Sequence, residues 1–124
     1  MKKSILFFLT IIFLSCAIVK NQKTNPFTGT FQVIVLDIEG VGDVPGVLTI
    51  SKSIDEYTSK IVYKDDGVDT EMEILSSYEI DDSTFMIEAY VDGMQVDFEL
   101  NFEDDSISGM ASGIYEVEGS RTSK

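Results

Sequence analysis

The chain has 124 residues, with nine Lys+Arg against twenty-two Asp+Glu for a formal charge of −13, one Cys, two Pro and neither His nor Trp. That length holds a single domain, and the missing His and lone Cys exclude His-based triads, Cys/His zinc sites and any intrachain disulfide. The acidic balance argues against a nucleic-acid partner, which needs a basic stripe to displace counterions, and a composition 44% hydrophobic and 25% charged is that of a folded chain.

The N-terminus is read first as an address. Lys2 and Lys3 precede an apolar run from Ile5 to Leu14 that stops at Ser15-Cys16. A basic start, an apolar stretch and a small residue at the cut are the layout of a secretory signal. The apolar stretch 5–19 is shorter than the ~20 residues a spanning helix needs. Phe13-Leu14-Ser15-Cys16 resembles the lipobox of bacterial lipoproteins, with Ser15 fitting and Phe13 standing where an aliphatic residue is usual. The resemblance implies cleavage before Cys16 and acylation of its sulfur and new amino group; the other reading is an ordinary signal with an incidental Cys. Acyl chains contribute ~0.8 kcal/mol per buried methylene, so several of them hold stably in a bilayer.

These features predict a signal peptide over 1–15, a lipidated Cys16 with a flexible tether over 16–26, and a folded domain over 27–124. The expected location is the cell envelope, at the outer membrane on its periplasmic or surface face, with the acyl chains on Cys16 as the membrane contact. Ala17 lacks the Asp associated with inner-membrane retention in some lipoproteins. All twenty-two acidic residues lie beyond the tether, so the body itself is repelled by anionic lipid.

From Thr28 onward period-two alternation recurs and predicts eight short strands. The first runs from Thr30 to Ile38 with Phe31, Val33 and Val35 on one face. A loop over 41–46 follows, then a second strand from Val47 to Lys52 and a third from Tyr57 to Lys64. Asp65-Asp66-Gly67 turns into a fourth strand over Thr70 to Ile80, with Met72, Ile74, Tyr78 and Ile80 on one face. The fifth, Thr84 to Val91, and sixth, Met94 to Glu103, flank Asp92-Gly93, and Asp-Gly between alternating runs is the strongest short hairpin signal. Ser106 to Ser112 and Ile114 to Arg121 complete the set.

A flat meander of eight strands exposes two edges and an apolar face; closing it removes both problems. The expected fold is all-β, an eight-stranded antiparallel up-and-down barrel, complete or partly open, with a two-sheet sandwich as the alternative. Gly29-Thr30-Phe31 at the first strand and Arg121 on the last resemble the end markers of the calycin barrels (lipocalins and their relatives), where Trp is usual at the Phe31 position. The resemblance implies a barrel closed at one end by the Phe31–Arg121 pair, a cation–π contact of roughly 0.5–2 kcal/mol.

The acidic clusters Asp65/Asp66/Asp69, Asp81/Asp82 and Glu103/Asp104/Asp105 fall at predicted turns, where Asp is favoured for its own backbone contacts, and none has EF-hand spacing. The reading is therefore of no metal, no cofactor and no enzyme. A monomer that binds a small apolar ligand, neutral or cationic, is the leading expectation, with Ile61, Tyr63, Phe85, Ile87, Phe98, Gly109 and Ala111 as lumen residues. The many bulky inward side chains predict a filled lumen, and the inward glycines serve either a pocket or sharp bending of the sheet. The alternative is a module that contacts an envelope protein through Val41 and Val44 in the loop between the first two strands.

Overall fold

The computed structural model describes residues 25–123, so the signal and lipobox, including Cys16, lie outside the described residues. Within them every regular element is a strand: β1 (Gly29–Ile38), β2 (Gly42–Ser53), β3 (Glu56–Asp65), β4 (Val68–Glu71), β5 (Glu73–Glu79), β6 (Thr84–Val91), β7 (Met94–Glu103), β8 (Ser106–Ala111) and β9 (Tyr115–Ser123). They form one antiparallel sheet in the order β4-β3-β2-β1-β9-β8-β7-β6-β5. The first and last strands pair, with Phe31 across from Arg121, so the chain ends seal the sheet. One curled sheet stands where the sandwich alternative would need two.

Nine strands replace eight because the expected fourth strand breaks at Met72 into β4 and β5. Its first half pairs with β3 and its second with β6. The ladder toward β3 runs one residue further, through the Met72 N–H to the Ile61 carbonyl at 2.8 Å. Beyond that point β3 and β5 are bridged by side chains, Ser77 Oγ donating to Ser59 Oγ at 2.7 Å. The barrel is thus nearly closed, with one unsealed seam.

A bulge between Ile74 and Ser76 makes Leu75 an extra residue, and an extra residue reverses the alternation beyond it. Ser77 then takes the inward position across from Ile87, while Tyr78 and Ile80, expected inside with Met72 and Ile74, are exposed. The expected loop over 41–46 is another correction. Only Glu39-Gly40-Val41 turns, and β2 already pairs with β1 from Gly42, Val44 lying across from Val35. Pro45 is tolerated because β3 joins β2 only from Gly46 onward, leaving Pro45 on a free edge where a missing N–H costs no ladder bond.

The turns follow local chemistry. Asp66-Gly67 and Asp92-Gly93 both have positive φ at the two central residues (49° and 79°, 50° and 79°), as a type I′ hairpin requires. Gly109 and Gly119 serve close approach of strands. A Cβ on Gly109 would lie 2.1 Å from the Glu99 carbonyl oxygen, and one on Gly119 2.7 Å from that of Gln32. Neither glycine lines the lumenal cavity; each makes room for the backbone of a neighbouring strand.

Candidate functional site

The inside of the barrel has two unlike halves. At the pole where β1 begins and β9 ends, aromatic rings fill it. Asn25 Oδ1 accepts the N–H groups of Phe27 (2.8 Å) and Thr28 (3.3 Å), and its Nδ2 donates to the Tyr57 hydroxyl at 2.9 Å. This turn lays Phe27 across the barrel end, its ring 5.1 Å from both Phe85 and Phe102 and 6.2 Å from Tyr57. Asn25 and Pro26, assigned by sequence to the tether, therefore already belong to the folded domain. Phe27 is the plug that sequence reading missed: it falls at the start of the expected folded domain, but it follows Asn25-Pro26 and no strand period includes it.

Arg121 seals the same pole. Its guanidinium carbon sits 4.7 Å from the Phe31 ring centroid. Nη2 donates to the Pro26 carbonyl at 2.8 Å, Nη1 to the Thr28 carbonyl, and Nε to Asp105 Oδ1 at 2.9 Å. The side chain is 9% exposed and Asp105 73%. A planar fork with several fixed donors is what lets one residue tie an incoming segment, an aromatic ring and a neighbouring hairpin together.

The opposite half is open. A cavity of about 690 Å³ enters between the turns at the far pole, within the ~300–1,000 Å³ of small-molecule sites. Its wall is apolar, formed by Val33, Val35, Leu48, Met72, Val96, Tyr115, Val117 and their neighbours. The expectation of a filled lumen is corrected accordingly: Phe27, Phe31, Tyr57, Phe85 and Phe102 pack together at the floor, and the upper half keeps open space walled by aliphatic side chains with Tyr63, Phe98 and Tyr115. Ile61, Tyr63, Phe98 and Ala111 line the cavity as expected. Phe85 and Ile87 instead lie fully buried in the filled half, and Gly109 meets the backbone of β7. Val41 and Val44 both reach the cavity, Val41 from an exposed turn and Val44 from half-buried β2.

Charge is confined to the rim. The charged residues of the cavity are Glu39, Lys64, Asp65 and Asp92. Lys64 pairs with Asp69 at 2.8 Å. The Tyr63 phenol is held above its ordinary value, first by burial and then by the carboxylates of Asp92 and Asp65. Four turns surround the opening, and an exposed apolar residue lies in or directly after each: Val41 and Ile114 within their turns, Val68 and Met94 at the first position of β4 and β7.

In each of the two remaining acidic clusters one carboxylate has a local partner. Asp81 accepts the N–H groups of Ser83 and Thr84 at 3.0 and 2.8 Å, which lowers its carboxyl below the usual range. Asp105 serves Arg121. Among the described residues no three of His, Cys, Asp and Glu are grouped to hold a metal ion. Comparison with protein-family models, with curated proteins and with solved structures gives no match. The class defined by fold and site is a nearly closed all-β barrel with an apolar lumenal cavity whose charged residues sit at its mouth.

Proposed function

We propose that the protein is a lipid-anchored envelope protein whose barrel binds a small apolar ligand, neutral or cationic, without transforming it. The observation that carries the binding reading is the cavity of about 690 Å³, apolar in its depth and open at one pole. The likeness to calycin barrels supports it, since the Phe31–Arg121 pair that marks their closed end is made here across β1 and β9. The anchor rests on the lipobox-like Phe13-Leu14-Ser15-Cys16 alone.

Binding is tested with N-phenyl-1-naphthylamine, a neutral dye that brightens in apolar surroundings; the chain has no Trp to interfere. Saturable brightening that is lost in Ala111→Phe and in Val35→Phe, with the melting temperature kept, is the expected result. No brightening in the wild type overturns the reading. For the anchor, labelled palmitate should enter the wild type and not Cys16→Ser.

A second reading, docking of an envelope protein on the rim, is favoured by the four exposed apolar residues in or directly after the rim turns. Val68→Asp and Ile114→Asp, which lie outside the cavity wall, would abolish such docking while dye binding persists.

A further inference from the structure

The depth of the cavity and its rim differ in chemistry, and that difference narrows the ligand. Resting on the lumenal-binding reading above, we propose that the ligand is a single-chain amphiphile with a cationic head, its alkyl chain in the lumen and its ammonium or guanidinium group between Asp65 and Asp92 at the mouth. Below the rim no charged side chain reaches the cavity, so the buried part of the ligand carries no charge. At the rim, Lys64 is engaged by Asp69, whereas Glu39, Asp65 and Asp92 have no cationic partner among the described residues.

Asp65 ends β3 and Asp92 sits in the turn between β6 and β7, yet both act on the phenol of Tyr63 in the cavity wall. Both carboxylates also line the same cavity as Tyr63, Asp65 from the end of β3 and Asp92 from the turn after β6. A fatty carboxylate would place its head among three like charges. A chain-bearing cation instead brings these exposed rim carboxylates the partner that the fold does not supply, while its chain leaves water for the lumen.

The test is displacement of N-phenyl-1-naphthylamine from the full chain by dodecyltrimethylammonium, dodecanol and dodecyl sulfate, each below its micellar concentration. The cation is expected to displace the dye at a concentration at least tenfold lower than dodecyl sulfate. That ratio should fall below threefold in the Asp65→Asn/Asp92→Asn variant and stay intact in Glu103→Gln/Asp104→Asn, which removes equal charge at the floor. Tetramethylammonium, lacking the chain, should not displace. Equal displacement by cation and anion, or an equal loss of the ratio in both double variants, overturns the cationic head while leaving the lumenal site in place. A wild type that never binds the dye removes the lumenal site itself.

Discussion

Arg121 stands directly across from Phe31 in the β1–β9 ladder, with its guanidinium carbon 4.7 Å from the ring centroid. The same side chain donates to the carbonyls of Pro26 and Thr28 and to Asp105. Arg121→Ala leaves those carbonyls without donors and uncovers the ring, for an expected loss of about 2–4 kcal/mol in urea unfolding. Arg121→Lys keeps the charge but not the fork, and should recover less than half of that loss.

Phe27 is fully buried at the floor among Tyr57, Phe85 and Phe102. Phe27→Ala is expected to cost about 3–5 kcal/mol, the range for deleting a buried ring. A cost under 1 kcal/mol would mean that the segment from Asn25 is not docked in solution.

Gly109 offers no room for even one methyl group, since its added carbon would meet the Glu99 carbonyl oxygen and the Leu100 backbone. Gly109→Ala must push β7 and β8 apart, at an expected cost of about 1–3 kcal/mol. Gly113→Ala, at a turn with open space around it but φ at 65°, tests strain without collision and should cost about 1–2 kcal/mol.

The lowered carboxyl of Asp81 sets a pH dependence. Its ionised form is favoured by the Ser83 and Thr84 donors in the folded chain, so its contribution is present above the unfolded carboxylate range and is lost as pH falls through the lower folded value. Asp81→Asn keeps an acceptor without the charge. The wild type should melt higher than this variant at pH 7, with the gap closing in melts at progressively lower pH.

The seam offers a direct probe of closure. Ser59 and Ser77 touch through their hydroxyls at 2.7 Å. In a Cys16→Ser background, Ser59→Cys/Ser77→Cys is expected to form a disulfide on mild oxidation and to gain about 3 kcal/mol, the chain-entropy value for a loop of roughly this size. Free thiols persisting under oxidation would show that β3 and β5 stand further apart.

The hairpin of β6 and β7 was legible residue for residue, because Asp92-Gly93 and unbroken alternation on both sides point to the same register. The contact of Phe31 with Arg121 was expected from the barrel end markers that those two positions resemble. The break at Met72 and the bulge at Leu75 were not, since each is a one-residue choice that depends on which neighbour the strand pairs with. Gly42 to Gly46 reads as loop because Pro45 and the glycines hide a strand edge that carries no ladder. The division of the lumen was hidden for another reason: sequence gives which residues face inward, but not at what height along the axis each ring settles.

Asn25 and Ser123 both leave the barrel at the pole that Phe27 and Arg121 close, while the four glycine-bearing tips stand at the other. The aromatic stopper and both ends of the described segment are thus gathered at one end. The tips stand apart from the stopper, so outside the positions that need a positive φ, changes at the crown reshape the opening and leave the packing of Phe27 and Arg121 untouched.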